Sequence, residues 1–207
     1  MMRFLHYSLM VCLLAGCTSA YRGLTKKAGQ EPCAERMKPA GVASGWFTAG
    51  VDVMGRLITG LLIVKNMESG GTRVVMTSEA GVTFFDFEFT PERNFKVHRI
   101  IPQLDRKVVV NLLREDFGLL LGIPFKGSPI QSASMNNELY FGVTQKKGTA
   151  YFITDLDCST LLRLEVGSSR KKKVTITFGD NPTDPVSAVI QHHTFDMVVT
   201  LNKFEKQ

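Results

Sequence analysis

From Trp46 onward, apolar and polar residues alternate in run after run, and a period of two suits strands with one buried face. Phe47, Ala49, Val51 and Val53 alternate with Thr48, Gly50 and Asp52. Leu57 to Val64 follows and ends in the turn cluster Asn66-Met67-Glu68-Ser69-Gly70-Gly71. Arg73 to Thr77 and Thr83 to Phe89 come next, separated by Glu79-Ala80-Gly81. Within the latter, Phe85, Phe87 and Phe89 share one face while Phe84, Asp86 and Glu88 share the other. Phe95 to Ile101 completes five strands in hairpin succession. After a loop through Asn137, alternation resumes at Leu139 to Thr144, Ala150 to Thr154, Leu161 to Val166, Val174 to Phe178, Val186 to Gln191 and Phe195 to Phe204. Lys147-Gly148, Gly167-Ser168-Ser169 and Gly179-Asp180-Asn181-Pro182 are turns between them. A sheet of about eleven strands must curl or close, because a flat one leaves edges and an apolar face exposed.

One segment breaks the period. Val109, Leu113, Phe117 and Leu120 recur at spacings of three and four between Asp105 and Gly122, and Val108, Leu112 and Leu121 widen the stripe. Asp105 suits an N-cap, and Gly122 before Ile123-Pro124 suits a helix stop. This predicts one amphipathic helix, polar at Arg106, Lys107, Arg114 and Glu115, whose apolar face covers the sheet. The expected fold class is therefore mainly β (α+β), a curled antiparallel sheet of about eleven strands with a covering amphipathic helix.

The first sixteen residues follow another logic. Arg3, the apolar stretch Leu9 to Leu14 and then Leu14-Ala15-Gly16-Cys17 have the order of a secretory signal. The apolar run is shorter than the roughly 20 residues a spanning helix needs. Its ending resembles a lipobox, which implies cleavage before Cys17 and acylation of the Cys17 thiol. More than one acyl chain anchors a protein stably, each buried methylene contributing about 0.8 kcal/mol, so a membrane-lipid anchor is expected without any spanning segment. Thr18 follows the cysteine and no acidic cluster appears through Arg22. By resemblance to known sorting rules, this favours the outer membrane, facing the periplasm.

Residues 17–44 then read as the lipidated cysteine and a flexible tether, small, polar and basic without sustained period; fully extended, 18–44 would reach roughly 90 Å. Residues 45–207 are the expected domain. Loss of the signal removes Arg3 and lowers the formal charge from +6 to +5. The one dense basic run, Arg170-Lys171-Lys172-Lys173, reads as an exposed hairpin turn, with attraction to anionic headgroups or a protein partner as its functional alternative. Nucleic acid is not expected in this compartment. Once Cys12 leaves with the signal and Cys17 is acylated, Cys33 and Cys158 remain; they can pair in an oxidising periplasm, or Cys158 can stay a buried thiol.

The element order, the helix after the fifth strand ending in Leu119-Leu120-Leu121-Gly122-Ile123-Pro124, and Pro185 leading a C-terminal strand pair together resemble the LolA/LolB-type lipoprotein carriers over residues 46 to 204. The resemblance implies an incomplete barrel curled around its helix, with an apolar concave cavity for the acyl chains of a lipoprotein or other lipid. Its expected lining is Phe47, Val51, Leu62, Val64, Val75, Phe85, Phe87, Leu139, Phe141 and Ile153 from the strands, and Leu113, Phe117 and Leu120 from the helix. One departure stands out: the anchored carrier has a protruding apolar residue on the loop after its third strand, whereas Ser78-Glu79-Ala80-Gly81 is short and has none.

Catalytic signatures are sparse. No Gly-x-Ser-x-Gly elbow, His-Glu-x-x-His motif or phosphate-cradling glycine loop is present. His192 and His193 are adjacent on a strand and point to opposite faces, so they do not chelate one metal together. The expectation is a carrier without catalysis and without cofactor, with a structural or assembly subunit of an envelope complex as the alternative.

Overall fold

The computed structural model describes residues 20–42, 44–179 and 187–204. The signal segment, Cys17, and the Asn181-Pro182 and Pro185 features lie outside them. Thirteen strands form one antiparallel sheet: β1 (Thr25–Lys26), β2 (Gly45–Val53), β3 (Arg56–Asn66), β4 (Thr72–Thr77), β5 (Thr83–Phe89), β6 (Phe95–Ile100), β7 (Gln131–Met135), β8 (Glu138–Gln145), β9 (Gly148–Asp155), β10 (Leu161–Gly167), β11 (Lys172–Phe178), β12 (Ser187–His192) and β13 (Met197–Lys203). Their order is β1-β7-β8-β9-β10-β11-β12-β13-β2-β3-β4-β5-β6, so the sheet stays open, with β1 and β6 at its edges. Two meanders, β2 to β6 and β7 to β13, are joined where β13 pairs with β2.

Helix α2 (Lys107–Leu120) links the meanders and packs inside the curl. Its N-cap is one residue later than expected, Arg106 rather than Asp105, and no side chain caps it. Leu113, Phe117 and Leu120 are buried, and the Phe117 ring lies 5.5 Å from that of Phe85. Opposite them, the inward residues of alternating strands form one continuous core: Phe47 and Ala49, Leu62 and Val64, Phe85 and Phe87, Leu139 and Phe141, Leu164, Ile176 and Ile190. Strand alternation places these side chains on one face, and burial of each contributes roughly 1.5–3 kcal/mol.

The segment read as tether behaves differently over its described part. Tyr21 is buried on the outer face of the sheet against Tyr140 and Ile153. β1 then pairs with β7, and helix α1 (Glu31–Met37), with Pro32 in its first turn, buries Cys33 and Ala34 in the main core. Cys33 and Cys158 form a disulfide, their Cα atoms 5.8 Å apart, and the Arg36 guanidinium donates to the Cys158 carbonyl at 2.8 Å. Residues 39–42 cross the end of α2, where the Val42 N–H donates to the Leu120 carbonyl at 3.1 Å. Gly122 turns left-handed there (φ 66°), and a Cβ on it would run into the Pro39 carbonyl. The segment is thus a strap running from the outer face, around the β7 edge, to the inner core.

Candidate functional site

Eleven of the thirteen expected lining residues share the main core: Phe47, Leu62, Val64, Phe85, Phe87, Leu113, Phe117, Leu120, Leu139 and Phe141 are buried in it, and Val51 packs against it. Two do not belong with them. Val75 faces outward between Ile63 and Asp86, while Val74 and Met76 point inward, opposite Phe87 and Phe85. Ile153 lies in the outer cluster beneath Tyr21, and Phe152 takes the inward position. The Val74-Val75-Met76 and Tyr151-Phe152-Ile153 runs are apolar on both faces, so alternation alone does not fix their phase. The inward set forms a packed interior around α2, and none of the thirteen lines the cleft that opens beside that helix.

That space is a cleft of about 720 Å³ along the exposed flank of α2. Its floor is apolar: Phe89 and Phe95, with rings 5.3 Å apart, then Leu112, Gly118 and Leu119 of α2, and Ala150, Val166 and Val174 on the far side. Its margins are cationic. Arg114 lies 5.9 Å over the Phe95 ring, and Arg93 reaches from the β5–β6 turn to donate to the Lys126 carbonyl. Lys146, Lys147 and Lys173 close the opposite margin. Lys147 pairs with Glu115 at 3.5 Å, and the Lys173 ammonium donates to the Lys147 carbonyl at 2.6 Å.

One polar pair in the cleft wall had not been singled out in the sequence. Asp116 Oδ2 and His192 Nε2 are 3.0 Å apart, their side chains 3% and 1% exposed. They fasten α2 to the end of β12, and the His192 ring lies tilted against that of Phe195, centroids 4.6 Å apart. Burial pushes the Asp116 carboxyl above the usual aspartate range, with His192 acting against that rise. Asp116 sits within the helix stripe, between Leu113 and Phe117, and an acid on an apolar face was the available signal.

The basic run divides in two. Arg170 and Lys171 are exposed in the β10–β11 turn, whereas Lys172 and Lys173 begin β11 and are half-buried. Lys172 donates to Glu165 at 2.6 Å, joining an outer-face network in which Tyr21 donates to Glu165 and Arg163 bridges Glu165 and Glu138. On the outward face of β5, Asp86 is paired with Arg73, and Glu88 with Lys96 and His98. Among the described residues no helix is long and apolar enough to cross a bilayer.

No family model and no curated protein matches the chain in sequence. Among solved structures it is similar to a LolA superfamily protein from Nitrosomonas europaea, with a TM-score of 0.50 and 12% identity over 85% of this chain and 93% of that one. Looser likenesses are a DUF1329 family protein from Desulfovibrio piger (TM-score 0.44, 10% identity, 83% and 88% covered) and a proposed outer membrane lipoprotein-sorting protein domain from Vibrio parahaemolyticus (0.45, 11%, 84% and 89%). At such identities the first likeness is one of fold: the chain is an open antiparallel half-barrel of the LolA type, with its helix packed in the curl.

Proposed function

We propose that this chain is an envelope lipoprotein, acylated at Cys17 after removal of residues 1–16 and held in the outer membrane facing the periplasm. In this reading it binds the acyl part of a lipoprotein or other lipid without catalysis. The observation that carries the proposal is the α2 cleft, whose volume falls in the range of small-ligand sites and which joins an apolar floor to cationic margins on a LolA-type fold. An amphiphile with an acidic head matches both parts. Burying roughly 300 to 400 Å² of acyl surface would contribute about 8 to 10 kcal/mol before association costs, enough to hold a lipid and still release it.

The test is native mass spectrometry of the domain lacking residues 1–17, with displacement of a fluorescent fatty-acid probe. Co-purified lipid or saturable displacement supports the proposal, and the absence of both overturns it. A second reading, a docking subunit of an envelope complex, is favoured by the filled interior around α2. It predicts no lipid and a stable protein partner instead.

A further inference from the structure

Four turns of the sheet are fastened side by side at one end. Lys173 Nζ donates to the Lys147 carbonyl (2.6 Å), joining the β8–β9 and β10–β11 turns. The His193 N–H donates to the Lys173 carbonyl (2.8 Å), joining the β12–β13 turn, and the Met54 N–H donates to the Asp196 carbonyl (3.1 Å), joining the β2–β3 turn. Chemistry changes along this rim. The first two turns expose Lys146, Lys147, Arg170 and Lys171; the last two expose Met54 (78%), Leu57 (66%) and Phe195 (41%), with Arg56 and Asp196 beside them. Lys146, Lys147, Lys173 and Phe195 also line the cleft, so the rim borders its opening.

The N-terminal segment meets the same rim. The Ala20 N–H donates to the Arg170 carbonyl at 3.4 Å, and Tyr21 is pinned beneath by Glu165 at 2.9 Å. Cys17 is three residues before Ala20, a length of chain that spans at most roughly 11 Å, so a lipid on Cys17 would be tethered close to this hairpin.

We propose that this rim is a docking face for the surface of an anionic phospholipid leaflet, on which the chain lies with the cleft opening toward the membrane. Cationic turns take the phosphates, Met54, Leu57 and Phe195 enter the interfacial region, and the short lead from the anchor leaves the opposite end pointing away. The proposal rests on the Cys17 anchor and is independent of what the cleft holds.

The test uses the lipidated chain in vesicles containing a nitroxide-labelled lipid, with a fluorophore on Met54→Cys or, at the opposite end in the β3–β4 turn, on Ser69→Cys. In phosphatidylglycerol-rich vesicles the label at 54 is quenched several-fold more than that at 69. In phosphatidylcholine alone the difference shrinks. The combined Lys146→Gln, Arg170→Gln and Lys171→Gln variant, at about fivefold per charge, lowers the docking equilibrium constant about a hundredfold and removes the difference. Equal quenching at the two positions, or quenching at 54 indifferent to lipid charge and to the triple variant, overturns the proposal, as does a protein partner shielding position 54 from the lipid. Intact mass separates the two readings. A chain with no acyl mass on Cys17 defeats the anchor; docking is then judged by co-sedimentation of that chain with the same two vesicle types, where indifference to lipid charge overturns it.

Discussion

Gly118 lies at the start of the last turn of α2, where glycine is unfavourable by about 1 kcal/mol relative to alanine. No tight contact demands it: a Cβ there would meet only Phe89 Cε1, at an ordinary 3.7 Å. What it does is leave room, since its bare backbone forms part of the cleft floor. Gly118→Ala is therefore expected to stabilise the fold by about 1 kcal/mol from helix propensity, plus up to about 0.8 kcal/mol from a methyl packed against Phe89. Gly118→Leu sends a branched chain into the cleft and displaces three or four ligand methylenes. At about 0.8 kcal/mol each, this costs about 2–3 kcal/mol of binding, roughly 30- to 150-fold in Kd. Urea unfolding measures the first effect and titration with a fluorescent fatty acid the second. A folded Gly118→Leu chain that binds the probe as well as the parent would remove the cleft as the site. An alanine variant less stable than the parent would show that the helix packs here more tightly than its surroundings indicate.

Further expectations follow from the polar and covalent contacts. Replacing Cys33 and Cys158 by Ser opens a link across 125 residues and lowers stability by about 5 kcal/mol on the chain-entropy account; a change below about 1 kcal/mol in urea unfolding would contradict it. Hydrogen bonds from Arg163 hold Glu138 below the usual glutamate range, and although burial works to raise Glu165, Arg163 and Lys172 outweigh it. Both contribute stability that is present above the ordinary glutamate pKa and lost as pH falls through their lower folded values. Arg163→Met should therefore shift acid unfolding, followed by circular dichroism, to higher pH. Asp116 has the opposite sign: its raised folded pKa gives stability below the ordinary aspartate pKa that is lost as pH rises through the folded value. The stability of Asp116→Asn relative to the parent should increase between pH 4 and pH 8 in urea titrations, and a constant difference would refute the assignment.

Much of the sheet was legible because strands such as β2, β5, β12 and β13 turn alternate residues into the core, and α2 because its stripe changes period. The pieces that were not legible lack those signals. Gln131-Ser132-Ala133-Ser134-Met135 forms β7 from small and polar residues, and β1 is two residues long; both depend on neighbours for their pairing. Helix α1 spans seven residues, too few to show a stripe, and its place is set by a disulfide and by Ala34 in the core. The cleft was not legible for a more general reason. Sequence pattern says which side chains turn inward, and an inward side chain packed against α2 does not line the cleft on its flank. The cleft gathers residues from α2, the β5–β6 hairpin and the ends of β8, β11 and β12, and no local pattern joins them.

The position of β13 has a kinetic consequence. The last strand among the described residues stands in the interior of the sheet, paired on one side with β12 and on the other with β2, so that Met197 meets Val53 and Lys203 meets Phe47. Until residues 197–203 are in place, the two meanders have no seam between them, and β2 keeps an unpaired side. Contacts that close loops this long form slowly. A chain stopped before residue 197 would lose its middle and expose two sticky edges, a species prone to aggregation and proteolysis.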